Sequence, residues 1–225
     1  MEKLKTPAKW ILTGLGLALL LCVSIRLEKS DQRRARMKTF QFDAADYARD
    51  FWDIGLPEVL SQSLEARTLI RLFNTDMNAA IEQGQTLGES RVHAYLLKGS
   101  GTIVTMDKKG IAVRLDESES GATVRILTGP FISGNAIRDA SGLVNVSDFS
   151  DTMKFNRISS HINKIVVTEV IKPFLETSPE IGQQVTFFGA AEVAEDATEQ
   201  TPFGSKDKHG KAHLLSIVPI RLVRN

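Results

Sequence analysis

At Arg91 the apolar residues of this chain change from recurring every third or fourth position to recurring at every second one in a series of short runs, and that change of period limits the possible folds more than any other feature. The runs "VHAYLLKGSGTIVTMD", "GIAVRLDE", "ATVRILTG", "QQVTFFGAAEVA" and "HLLSIVPIRLVRN" are rich in β-branched and aromatic residues and are bounded by turn residues such as Lys108-Lys109-Gly110. In "IAVRLD", Ile111, Val113 and Leu115 share one face while Arg114 and Asp116 share the other, as in a half-buried strand. Gly99 and Gly101 interrupt the first run, where glycine commonly marks a bulge that bends a strand. A phosphate-cradling loop does not fit these glycines, because no helix and lysine follow them.

Between the third and fourth runs, Phe155, Ile158, Ile162, Val166, Val170 and Phe174 recur every three or four residues. This spacing predicts an amphipathic helix of about six turns, capped by Ser150 or Asp151. Pro173 lacks the donor that the helix needs, so a kink or restart is expected before "FLE". Three strands, a helix and two strands is the element order of a five-stranded OB-like β-barrel with a long helix between strands 3 and 4. The polar insert "ATEQTPFGSKDKHGKAH", residues 197–213, reads as a hairpin tip between the last two strands.

Upstream, "FDAADYARDFWDIGL" predicts a helix capped by Asp43, with Ala44, Tyr47, Phe51, Trp52 and Ile54 near helical spacing, and Pro57 ends or restarts it. "EARTLIRLFNTD" and "TDMNAAIEQG" predict two more short helices, the second capped by Thr75 and stopped by Gly84. Their aromatic and leucine positions suit core packing better than a ligand-gripping stripe. The fold class expected for the body is therefore α+β, with residues 40–90 as a helical segment packed on an OB-like domain of residues 91–225.

The amino terminus reads differently. After Lys3, Lys5 and Lys9, "WILTGLGLALLLCVSI" runs for sixteen residues, 10–25, without a charge. No A-x-A-like cleavage site stands out, and Leu19-Leu20-Leu21 precede Cys22 where a lipoprotein signal wants small residues. An uncleaved transmembrane anchor over residues 1–27, followed by a basic juxtamembrane linker over 28–39, is the reading these residues favour over a lipidated Cys22. The flank "RLEKSDQRRARMK" holds six basic residues against three before the apolar run, a bias that by itself would leave the body in the cytoplasm. Arg33, Arg34, Arg36 and Lys38 suit the surface of the cytoplasmic membrane, as a solvated helix end or against anionic head groups.

Charge and chemistry exclude several function classes. Residues 1–38 hold nine Lys/Arg and three acids, which leaves 19 basic and 24 acidic residues in the body. A body carrying net charge −5 argues against nucleic acid as a partner. Cys22 is the only cysteine, so the body has no disulfide, thiolate metal site or thiol nucleophile. His209 and His213 have H-x3-H spacing without an evident third ligand, and His161 lies amid Ser159, Ser160 and Asn163 with no nucleophile to serve. No cofactor or metal is implied. The tripeptide Asn145-Val146-Ser147 matches a glycosylation sequon that arises too often by chance to indicate glycosylation.

One polar stretch remains, "GNAIRDASG", residues 134–142. Neighbouring residues point apart on strands and helices, so Arg138 and Asp139 are expected to find separate partners. Asp139 followed by Ala140-Ser141-Gly142 suits an Asx-type turn with Gly142 left-handed. Arg138 carries five donors in a rigid fork. They suit loop carbonyls and an internal carboxylate, or the anionic group of a ligand.

"FDAADYARDFW", "LLKGSGTIV", "GNAIRDASGLVNVSDFSDTMKFNRISSHIN" and "VTFFGAAEV" together resemble the bacterial family of predicted periplasmic lipoproteins, domain of unknown function 2291. The resemblance runs from about Phe40 to the carboxy terminus, and its central motif matches at Gly134, Asn135, Arg138, Asp139, Gly142, Phe155 and Asn156. It implies an exported, membrane-anchored protein without assigned enzymatic activity, often encoded beside sugar ABC importers. That implication sets the body on the periplasmic or extracellular side of the cytoplasmic membrane, against the charge bias, as a single-pass protein. The expected role is a non-catalytic binding or accessory module that touches a sugar ABC importer or its substrate. Gly134, Asn135, Arg138, Asp139 and Asn156 are its candidate ligand-binding residues. The alternative is a hydrolase-like enzyme acting on an anionic or glycosidic substrate through the Arg138/Asp139 loop.

Overall fold

Strands form where the period is two. The computed structural model describes residues 42–116, 121–149, 151–195 and 214–225. The expected membrane segment, Cys22, the basic linker, the insert 197–213 with His209 and His213, and Ser150 lie outside the described residues. Among the described residues, no helix is long and apolar enough to cross a membrane.

Two short strands, β1 (Leu64–Glu65) and β2 (Gln85–Thr86), precede five longer ones: β3 (Val92–Asp107), β4 (Gly110–Leu115), β5 (Thr123–Leu127), β6 (Gln184–Ala194) and β7 (Leu215–Arg224). The five coincide with the runs of alternating hydrophobicity. Ile111, Val113 and Leu115 are buried while Arg114 is exposed, as the alternation predicts, but Ala112 on the other face is buried as well, so the strand is covered on more than one side. β1 and β2 are too short for any period to reveal, and both add to β3.

β3 pairs antiparallel with β4 and β6, β4 with β5, and β6 with β7, while β5 and β7 run parallel. The pairing therefore closes on itself in the cycle β3-β4-β5-β7-β6-β3. β3 makes this closure by serving two partners, β6 along Val92–Thr102 and β4 along Gly101–Asp107. The bulge expected at Gly99 and Gly101 is not there. Register shifts fall between Ile103 and Thr105 and, in the β6–β7 pair, between Phe188 and Gly189. Gly99 and Gly101 instead allow close approach where β3 passes from one partner to the other: a Cβ at Gly99 would lie 2.9 Å from the Phe187 ring, and one at Gly101 would lie 2.1 Å from the Arg114 carbonyl oxygen.

The helices are α1 (Ala44–Asp50), α2 (Leu56–Leu60), α3 (Ala66–Thr75), α4 (Met77–Glu82), α5 (Ala136–Ser141), α6 (Thr152–Ile165) and α7 (Lys172–Glu176). A π-helical turn, Phe51–Gly55, joins α1 to α2, and a second, Val166–Ile171, joins α6 to α7. Each is followed by a proline in the first turn of the next helix, Pro57 and Pro173. Proline offers no N–H and crowds the carbonyl four residues back, and the wider turn relieves both problems without breaking the rod. The first π turn also shifts the helical phase. Ile54, expected with the apolar face, is rotated out and is 63% exposed, while Ala48 and Phe51 stay buried.

Thr75 does not cap α4. Its hydroxyl donates to the Arg71 carbonyl within α3, and the Asp76 carboxylate accepts from the Ala79 N–H at 3.1 Å. At the start of α6, Asp151 is the cap, accepting from the Met153 N–H at 2.8 Å. Replacing Asp151 with alanine is expected to cost about 1 kcal/mol, read from a urea melt. Phe155, Ile158, Ile162, Val166, Val170 and Phe174 are all buried, as their spacing predicts. Val170 and Phe174 join Leu69, Ile70 and Phe73 of α3 and the inward residues of β3 to β7 in one apolar cluster.

Candidate ligand cleft

Two glycines with positive φ bound the loop segment singled out by sequence: Gly134 at 94° and Gly142 at 65°. Gly142 ends α5 in the left-handed conformation, its N–H donating to the Asp139 carbonyl at 3.3 Å. Between them α5 packs on β3 and β6, burying Ala136, Ile137 and Ala140. Asn163 of α6 ties the entrance of the loop, its Nδ2 donating to the Gly134 carbonyl at 2.9 Å.

Arg138 is 1% exposed. Its Nε donates to Asp139 Oδ1 at 2.7 Å and its Nη1 to the Phe155 carbonyl at 3.2 Å, while Cζ lies 3.6 Å from the centre of the Phe155 ring. The expectation that Arg138 and Asp139 find separate partners is therefore corrected. Burial decides the matter: a guanidinium removed from water needs a carboxylate, and its long side chain reaches back to the adjacent one. The Asx-type turn expected at Asp139 is also absent. Asp139 lies inside α5 with its N–H donating to the Asn135 carbonyl at 2.9 Å, and its carboxylate receives Arg138.

Arg138, Asp139, Phe155, Asn135 and Asn156 border a cleft of about 360 Å³. Gln85 of β2, Leu87 and Ser90 from the β2–β3 connection, Val92 and Ala94 of β3, and Glu192 of β6 complete its lining. Gly134, read from sequence as a ligand-binding candidate, does not line the cleft, although a Cβ there would lie 3.3 Å from Glu192 Oε2. Glu192 escaped the sequence reading, although a signal was present. It is an acid in the apolar strand run "GAAEVA", exposed between buried Ala191 and Val193. The residue is open to the cleft, yet the protein atoms packed around its carboxyl group raise its pKa, and the Asp139 charge adds to the rise. A hydrogen bond from the Asn135 N–H and the charge of Arg138 offset part of that rise.

His161, on α6, is partly exposed and does not line this cleft. Among the described residues, no group of three His, Cys, Asp or Glu side chains could hold a metal ion.

The family model described as predicted periplasmic lipoprotein, DUF2291, matches residues 15–204. The chain belongs to this family. The match takes in α5, α6 and Glu192, so the whole polar lining of the cleft lies inside the family region. The DUF2291 chain is also similar to a solved structure, an OB-fold protein from Thermotoga maritima, at 23% identity and a TM-score of 0.64, over 82% of this chain and 99% of that one. That likeness concerns the fold, which is mixed α+β with an OB-fold neighbour. No curated protein matches the chain. The family description points to the periplasm.

Chemically, the cleft of this DUF2291 protein presents carboxylates and amides around a guanidinium already neutralised by Asp139. Among the described residues, nothing accepts from Arg138 Nη2, and no basic side chain forms an ion pair with Glu192. Such a surface suits ligand hydroxyl groups, which both donate and accept.

Proposed function

We propose that the protein is a non-catalytic binding or accessory module, exported and held at the outer face of the cytoplasmic membrane by residues 10–25, which serves a sugar ABC importer by engaging its substrate or its subunits. Its body is a small OB-like barrel whose polar mouth is the ligand site. The observation that carries this reading is the convergence of Asn135, Arg138, Asp139, Asn156 and Glu192 on one cleft. Clefts with a few convergent polar groups beside apolar walls are the usual form of small-molecule sites. Because Arg138 already holds an internal carboxylate, the lining favours neutral polyhydroxylated ligands over anionic ones.

The test uses the full chain in detergent, titrated with neutral monosaccharides and polyols and followed by calorimetry. Saturable binding that weakens at least tenfold on Asn135→Ala together with Asn156→Ala supports the site. Importer subunits are expected to co-purify with the full chain, and a periplasm-active reporter joined after Asn225 is expected to be active. If no sugar or polyol binds and no importer subunit co-purifies, the reading fails.

A glycosidase-like reading has one observation in its favour. Asp139 and Glu192 share the cleft, and burial raises the pKa of Glu192, as an acid catalyst requires. Turnover of aryl glycosides that is lost on Glu192→Gln would establish it in place of the binding role.

A further inference from the structure

We infer that the cleft selects ligands in which an ammonium group is carried on a polyhydroxylated frame, the ammonium seated against Glu192 and a hydroxyl oxygen accepting from Arg138. This specificity rests on the binding reading above. The charges around the cleft motivate it. Arg138 is the one basic residue of the lining, and it is matched at 2.7 Å by Asp139, which leaves the Glu192 carboxylate as the surplus charge.

Acidic groups alone would not make a site; Arg138 supplies the independent observation. Its side chain is 1% exposed, it borders the cleft, and its Nη2 donates to none of the described residues. Nη2 keeps contact with solvent at the cleft, so a ligand acceptor takes the place of water there. The Glu192 carboxylate lines the cleft without an ion-pair partner among the described residues and calls for a donor. A hydroxyl satisfies either group, whereas an ammonium also neutralises the surplus charge. An anionic ligand would satisfy Arg138 and be repelled by Asp139 and Glu192 together. Ordering by ligand charge follows: cationic above neutral above anionic.

Three ligands on one six-carbon frame separate these cases: glucamine, sorbitol and gluconate, titrated against the full chain in detergent at pH 8 and low salt. Glucamine is expected to bind about fivefold tighter than sorbitol, the contribution of one partly exposed ion pair, and gluconate weakest. The preference is expected to shrink as salt screens the pair and to vanish in Glu192→Gln, which bears no charge. Equal affinity for glucamine and sorbitol, or a preference that survives Glu192→Gln, overturns the charge selection while leaving the polyol site standing. Failure of all three to bind overturns the site itself.

Discussion

Replacing Arg138 with methionine is expected to lower the thermal midpoint by roughly 10 °C, a loss of about 3 kcal/mol for a body of this size. Methionine keeps much of the side-chain volume and its contact with the Phe155 ring, so the loss reports the polar partners. Without the guanidinium, the Asp139 carboxylate, 15% exposed, has no counterion, and the Phe155 carbonyl loses its donor from Arg138. Removing one member of a buried pair costs more than the pair contributes, because the remaining charge stays where water is scarce. Arg138→Lys should fall between the two, since one ammonium cannot reproduce the bond to Asp139, the bond to Phe155 and the flat stack on its ring. Adding Asp139→Leu to Arg138→Met is expected to restore some of the stability, because the orphaned charge is then gone. Thermal and urea melts of the four proteins check this; an Arg138→Met variant that melts with the parent refutes it.

Gly101→Ala should be comparably damaging for a different reason. The new Cβ would stand 2.1 Å from the Arg114 carbonyl oxygen and 2.8 Å from Val113 Cγ1. β3 cannot retreat from β4 there, because Gly101 also pairs with Val185 of β6 on its other edge. One methyl group therefore has to push β3 and β4 apart at the position where the cycle of pairing closes. A loss of about 3 kcal/mol is expected, the upper end of the usual range for overpacking. Gly88→Ala is the control. It has a φ of 60° but nothing within 4 Å of its would-be Cβ, so its cost is confined to backbone conformation, about 1 kcal/mol. Urea melts of both variants separate the effects, and equal losses would refute the steric account.

Sequence reading recovered the elements that obey a period. β3 spans the residues of the quoted run, Val92–Asp107, and the six apolar positions from Phe155 to Phe174 all face the core. It also anticipated Gly142 in the left-handed conformation, but as part of an Asx-type turn, whereas in the structure it ends the helix α5. It failed where the cause is not local. Ile54 turns outward because a π turn inserted ahead of Pro57 shifts the helical phase. Gly99 and Gly101 are required by Phe187 and by the Arg114 carbonyl, groups on the partner strands β6 and β4 that only strand pairing brings this close.

The chain's own pattern of period, proline and glycine thus determined which segments become strands, where the long helix lies and how the loop around Arg138 ends, since each follows from backbone geometry within a few residues. Tertiary structure decided the rest. It brought Glu192 of β6 up to a loop more than fifty residues earlier, and it buried Arg138 deeply enough that the adjacent carboxylate became its partner. Both outcomes depend on how much water remains around a charge. That quantity is set by everything packed around the charge, and no local stretch of sequence contains it.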